Sequence, residues 1–368
     1  MILGQDAVHM RECTIMRQYL ASDVTAVGLL AALVLTGCDA ATTGACVPGN
    51  NVICGIVKPE DIEAMPDSRW LLVSELGGKT SPGRVVAIDP TTRERRTLVE
   101  GPVTAGEPSS TFPRCGSPPD VLRPRGFHLG RDQDGERLLV IAGTRVEQFR
   151  LDRKDGDELA LAWQGCVDIP PEFIANDVAG LTDGGFVVSH MYDPPRDWTL
   201  DLRMFLGLNT GAAVAWSARD GWRRVPDTDV SFANGIQVEP ATERIFVSSM
   251  FTQRVIVVDR DGGNRRETAR GPNQIDNLTW ASDGRLVGAG HTGVAVYGIS
   301  TCRKAGETPC SFPFAVTAIN PTSLAIETLF TAPTGAIPGA SVALLKDGAL
   351  YLGTVFGEQI TRVPVIKR

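Results

Sequence analysis

The sequence predicts an all-β protein, a six-bladed β-propeller over residues 58–368. Three observations lead there. Short Val/Ile/Leu runs closed by Asp-Gly or Gly-Gly fill the chain, as at Asp261-Gly262, Asp283-Gly284 and Asp347-Gly348, which is how strands joined by tight turns read. Long helical periodicity is scarce. Similar units of roughly fifty residues recur, each too small to bury its own faces, so they must stack into a closed repeat. A chain of 368 residues could hold two ordinary domains or one large all-β domain, and its plentiful Gly and Pro favour the second.

The units follow in order. The first opens at Glu60 and runs through Trp70–Ser74 and Arg84–Ile88 to Arg96–Val99. The second opens at Arg125-Gly126-Phe127 and closes near Trp163; the third opens at Asn176 and ends near Val225. The fourth is the cleanest, with Gly235–Val238, Arg244–Val247 and Arg254–Val258. A fifth opens at Asp276, and a sixth at Ala340–Ala343 ends after only three strands. One insertion, Tyr192–Trp198, leads into the apolar Leu202–Leu208, a short helix that either caps the channel mouth or packs on blade edges.

Two segments precede the repeats. Residues 1–37 read as a signal peptide: Arg11 and Arg17, an apolar run from Val27 to Leu35, then small residues. The run is too short to span a bilayer comfortably. Leu35-Thr36-Gly37-Cys38 resembles the lipobox of bacterial lipoproteins, which implies cleavage before Cys38 and a diacylglyceryl group on its sulfur; an ordinary cleaved signal is the other reading. Asp39 resembles the signal that holds some lipoproteins at the inner membrane. The expectation is a lipid-anchored, periplasmic, monomeric protein, with small and polar residues 38–57 as a flexible tether.

Cysteine usage agrees with export. With Cys13 lost and Cys38 acylated, six remain, an even number in an oxidising compartment. Sequence alone cannot choose the pairing; proximity suggests Cys46 with Cys54 and Cys302 with Cys310, leaving Cys115 for Cys166, and no chemistry is expected of the Cys302–Cys310 loop. The net charge is −7 without a sustained basic stripe, which excludes nucleic acid as the expected partner.

Chemistry is concentrated at the strand openings. Glu60-Asp61-Ile62, Asn176-Asp177-Val178, Asn234-Gly235-Ile236 and Asp276-Asn277-Leu278 place carboxylate or carboxamide oxygens at one position of the repeat, ahead of a hydrophobic run. Each dipeptide alone is an ordinary turn former. Recurrence away from the hairpin loops is what separates these. Since the first strand of a propeller blade lines the channel, Glu60, Asn176, Asn234, Asp276 and Asn277 converge on the axis, and their hard oxygens suit Ca²⁺. They fall short of the six to eight ligands calcium accepts, so solvent or substrate must complete the shell, leaving a position that can polarise a carbonyl. Asp61 and Asp177, with a backbone carbonyl near Phe127, could hold a second ion deeper in the channel. The Arg125 opening supplies no oxygen side chain; Arg125 either favours an anionic or polar substrate at the mouth or pairs with a nearby carboxylate.

Phe232-Ala233-Asn234-Gly235-Ile236, Ile275-Asp276-Asn277-Leu278, Gly290-His291, Gly339–Ala343 and Tyr351–Phe356 together resemble the paraoxonase/arylesterase family, relatives of the gluconolactonase and senescence-marker propellers. The resemblance covers the chain from about Val57 onward. It implies a six-bladed propeller with two calcium ions: a catalytic one on Glu60, Asn176, Asn234, Asp276 and Asn277, and a structural one on Asp61, Asp177 and a carbonyl around Phe127. It implies hydrolysis of small lactones and aryl esters. Two departures stand out. The family's histidine dyad is missing, with Arg125 and about Gly143 in its place, and no cysteine follows Cys310 to tie the N-terminal segment to the last strand. The base must then be His291, at a family-matching position, or Glu60 itself, with His190 and His128 as lesser candidates. A non-enzymatic propeller stabilised by calcium, and a sugar lactonase, are the rival expectations.

Other motifs lead nowhere. Gly288-Ala289-Gly290-His291-Thr292-Gly293 fits a dinucleotide pattern without the helix that would cradle a phosphate. Asp132–Gly135 and Asp259–Gly262 lack the rest of a calcium loop. Ser341 stands on a strand with no nucleophile elbow.

Overall fold

The computed structural model describes residues 41–42, 46–79, 81–110, 112–113, 115–132, 135–154, 158–293, 302, 309–335 and 337–365. Within these the chain is a six-bladed propeller of antiparallel four-stranded sheets. Two strands come before the first blade, β1 (Ala41–Thr42) and β2 (Val52–Cys54). The first blade is β3 (Pro59–Ala64), β4 (Leu71–Glu75), β5 (Arg84–Ile88) and β6 (Arg95–Glu100). The second is β7 (Pro124–Asp132), β8 (Gly135–Ala142), β9 (Arg145–Lys154) and β10 (Glu158–Asp168). The third holds β11 (Ala175–Gly180), β12 (Phe186–His190), β13 (Ala212–Ser217) and β14 (Gly221–Arg224), with helix α1 (Trp198–Phe205) between its second and third strands. The fourth is β15 (Ala233–Val238), β16 (Ile245–Ser249), β17 (Arg254–Val258) and β18 (Arg266–Glu267). The fifth is β19 (Gln274–Trp280), β20 (Leu286–His291), β22 (Phe314–Ile319) and β23 (Ile326–Ala332), interrupted by β21 (Cys310–Ser311), which pairs with β1. The sixth is β24 (Val342–Lys346), β25 (Ala349–Gly353) and β26 (Gln359–Pro364).

The missing fourth strand of the last blade is β2, paired antiparallel with β26 from Val52↔Thr361 to Cys54↔Gln359. The ring is thus closed by the N-terminal segment. This corrects the reading of 38–57 as flexible tether throughout: Val52–Cys54 belong to the propeller, and the Cys46–Cys54 disulfide staples the segment just before them. The strand is short and apolar for only two residues, so its text is too thin to read without its partner. The other two disulfides, Cys115–Cys166 and Cys302–Cys310, match the proximity pairing. The signal peptide, Cys38 and Asp39 lie outside the described residues.

Blades pack face to face through their alternating apolar strands. Trp70, Leu72, Val85 and Ala87 of the first meet Phe127, Leu138, Val140 and Phe149 of the second, and the pattern repeats around the ring. Arg137, nearly fully buried on β8, fastens the second blade to the third by donating to the carbonyls of Leu181, Gly184 and Gly185 at 2.8–2.9 Å.

The helix begins four residues before the apolar stretch that suggested it. Asp197 caps it, accepting from the Thr199 and Leu200 amides at 3.0 Å. Gly207 at φ +71° ends it, its amide donating to the Met204 carbonyl. Leu200 and Met204 are buried, whereas Trp198, Leu202 and Phe205 face out. Among the described residues no helix is long and apolar enough to cross a membrane.

Candidate metal-centred active site

Five of the six innermost strands carry the same irregularity at the same place. The register of β3, β7, β11, β15 and β19 against its neighbour shifts across Glu60, Arg125-Gly126, Asn176-Asp177, Asn234-Gly235 and Asp276-Asn277 respectively. A β-bulge re-aims the side chains it contains. Here it aims the first residue of each pair at one end of the channel: Glu60, Arg125, Asn176, Asn234 and Asp276 all line a single cavity of about 530 Å³. The oxygens predicted from distant segments are therefore brought together.

The second residue of each pair packs one layer deeper, against the next blade. Asp61 accepts from the Phe127 amide at 3.1 Å, and Asp177 from the Ile236 amide at 2.8 Å. The bulge glycines lie against the blade that follows each of them. A Cβ on Gly126 would stand 2.3 Å from Asp177 Oδ1 and 2.7 Å from its Cα. A Cβ on Gly235 would stand 2.7 Å from the Leu278 nitrogen. Asn277 donates from Nδ2 to the Glu60 carbonyl at 2.9 Å, which Ser341 also reaches, so Ser341 serves the backbone and not a nucleophile's task.

Among the described residues, four buried oxygens of this expected ligand set are left without any hydrogen-bond partner: Glu60 Oε2, Asn176 Oδ1, Asn234 Oδ1 and Asn277 Oδ1. An orphaned buried acceptor costs about 1–3 kcal/mol, and four of them in one expected ligand set point to a positive partner. The orientation of two is enforced by sulfur. Asn176 Nδ2 donates to Met191 Sδ and Asn234 Nδ2 to Met250 Sδ, each at 3.4 Å, so the amide nitrogen is drawn to the thioether and the oxygen turns away. Asn234 Nδ2 donates as well to Asp276 Oδ1 at 2.6 Å.

The electrostatics agree. Burial, then the charges of Asp61 and Asp276, push Glu60 well above the usual carboxylate range. Burial raises Asp276 to about 7, against the opposing hydrogen bond from Asn234. Asp61 is raised to about 8 by burial and then by Glu63, and Asp177 upward by burial and then by Asp61. Carboxylates crowded in a dry channel are held apart from their charge unless a cation joins them. Two carboxylates and three carboxamides form a hard oxygen set of formal charge −2 that fits a calcium ion. Carboxylates alone do not make it: among the described residues no three His, Cys, Asp or Glu side chains group as metal ligands.

The histidines separate cleanly. His291 lines the cavity, its ring edge-on to Phe312 with centroids 3.8 Å apart; burial lowers it to about 3, and its nitrogens have no hydrogen-bond partner among the described residues. Phe312 packs with Cys302 and Cys310, so that disulfide, expected to be remote from chemistry, buttresses the wall behind His291. His190 accepts from the Ile174 amide through Nδ1 and meets Asp193 through Nε2, which occupies both nitrogens. His128 pairs with Glu63 at 3.2 Å.

Sequence reading missed the remaining wall. Tyr192 stacks on Phe232 with centroids 5.9 Å apart, Phe251 meets Phe232 edge-on at 5.7 Å, and all three line the cavity with Asn176 and Asn234. Phe232 sits at φ +58°, strained for a bulky residue, with its amide donating to Thr210. The signal for the sulfurs was present: Val187-Val188-Ser189-His190-Met191 and Phe246-Val247-Ser248-Ser249-Met250 end their strands alike, each Met 15 or 16 residues beyond its Asn.

No protein-family model matches the chain, and no curated protein matches it in sequence. Solved structures do. A luciferin-regenerating enzyme aligns over 84% of this chain and 92% of its own at 14% identity with a TM-score of 0.50. A gluconolactonase from Xanthomonas campestris aligns over 86% and 89% at 13% identity and 0.49, and regucalcin, a calcium-binding protein from Agrobacterium tumefaciens, over 88% and 96% at 10% identity and 0.48. At such identities the likeness is one of fold.

Proposed function

We propose that the protein is a calcium-dependent hydrolase of small lactones or aryl esters. The observation that carries this reading is the set of four partnerless oxygens: those of Glu60, Asn176 and Asn234 line an aromatic-walled cavity together with Asp276, and that of Asn277 lies one layer deeper beside Glu60. Glu60, Asn176, Asn234, Asp276 and Asn277 would hold the catalytic ion, and Asp61, Asp177 and the Phe127 carbonyl a structural one. A bound calcium ion would supply Lewis acidity toward an ester carbonyl.

The chain's own residues do the rest. Met191 and Met250 keep the carboxamide oxygens turned inward. The Tyr192, Phe232 and Phe251 rings exclude water and seat an apolar acyl or aryl group. Of the titratable groups lining the cavity, Glu60 keeps one partnerless oxygen and the His291 ring nitrogens have no hydrogen-bond partner among the described residues. Neutral His291 orients the attacking water, and Glu60 receives its proton. The chain is further proposed to be tethered to a bacterial periplasmic membrane through a lipid on Cys38.

The test is a panel of γ- and δ-lactones and phenyl esters assayed before and after EGTA. Turnover that disappears on chelation and returns with calcium supports the reading; undiminished turnover contradicts it. Calcium held tightly while the whole panel stays intact would leave a calcium-stabilised binding propeller instead.

A further inference from the structure

Four of the five bulge positions present oxygen to the cavity and one presents a guanidinium. Arg125 stands on β7 where the neighbouring blades place Glu60 and Asn176, so the repeat itself sets its charge on the rim of the oxygen ring. Its side chain is exposed. Among the described residues it makes no hydrogen bond and no ion pair, although its charge is felt at Glu60. The other arginine lining the cavity is different. Arg196 is held by Asp201 at 3.1 Å and lies over the Tyr192 ring, so its charge is already answered.

The cavity therefore combines apolar groups with one unanswered charge. Tyr192, Phe232 and Phe251 form an aromatic side on the third and fourth blades, and Arg125 lines the same cavity from the neighbouring second blade. A molecule whose reacting carbonyl meets the floor between them has one end against rings and the other beside an unanswered cation. We infer that the preferred substrate is an anionic ester or lactone, carrying a carboxylate that Arg125 binds and an apolar or aromatic part that the three rings seat. The word ester rests on the proposed hydrolase; the charge preference rests on the placement of Arg125 alone. A guanidinium binds a carboxylate through two parallel N–H···O bonds, a geometry that a lysine ammonium does not reproduce.

The experiment has a binding arm and a turnover arm. Calorimetry on calcium-loaded wild type, Arg125→Gln and Arg125→Lys would compare phenylacetate with its neutral isostere phenylacetamide, at low and high salt. Turnover would compare 4-acetoxybenzoate with 4-acetoxybenzamide. The expected result is a wild-type preference for the anion in binding that salt weakens, falls at least about tenfold in the Gln variant and is only partly kept by Lys, with the kcat/KM ratio shifting in parallel. Thermal melts coincident with wild type would exclude misfolding, as expected for an exposed side chain. Equal binding of the two wild-type ligands, or a preference that survives in Arg125→Gln, would overturn the inference. An anion preference in binding with neither ester hydrolysed would support it and sink the hydrolase reading instead.

Discussion

Asn234 shows how a single residue is made ready for a cation. Its nitrogen is committed twice, to Met250 sulfur and to Asp276, and its oxygen is left with nothing. Replacing both sulfurs, Met191→Leu and Met250→Leu, keeps volume but frees the Asn176 amide to turn and leaves that of Asn234 held by Asp276 alone; calcium affinity by calorimetry is expected to fall about tenfold. Asp276→Ala removes a proposed ligand outright and should weaken calcium binding and turnover together, with the fold retained by circular dichroism. The glycines make a separate prediction. Gly235→Ala drives a Cβ into backbone of the next blade and should cost about 1–3 kcal/mol in a denaturant melt. The residues that converge on the cavity were legible in the sequence because they recur at one repeat position. The sulfurs left only the matching strand ends as a trace and the glycines none, since what they do depends on atoms 15 residues away in one case and a whole blade away in the other.

At the level of elements, the bulge is the device on which the site is built. It lets consecutive residues of one strand serve two layers, with Asn176 in the cavity and Asp177 on the next blade. Alternating hydrophobicity marks where such strands run, but an inserted residue leaves no periodic trace, so the strands were readable and their bulges were not. The closing strand β2 has the same limitation: three residues pair with β26 and acquire meaning only from it. Deleting residues 46–57 would leave β26 an open edge. A lower melting temperature and concentration-dependent aggregation are expected, measured by calorimetry and light scattering. The helix start was missed because Asp197 caps it from outside the apolar stretch.

For the whole molecule, the concentration of buried carboxylates on the axis ties stability to pH and, under the proposed function, to calcium. Asp276 and Asp61 are raised from 3.8 to about 7 and about 8 in the cation-free fold. At these two groups the native state then binds more protons than the unfolded one between those limits, so the stability they contribute is full below pH 3.8 and is lost as pH rises toward 8. EGTA-treated protein should melt at progressively lower temperature from pH 5 to pH 8, whereas calcium-saturated protein should not. The measurement that bears most directly on the claim of an axial cation is calorimetric titration of calcium into EGTA-stripped protein at neutral pH, wild type beside Asp276→Ala. Saturable binding in wild type that weakens at least about tenfold in the variant is the expected result; no binding in wild type, or equal binding in both, would contradict the account.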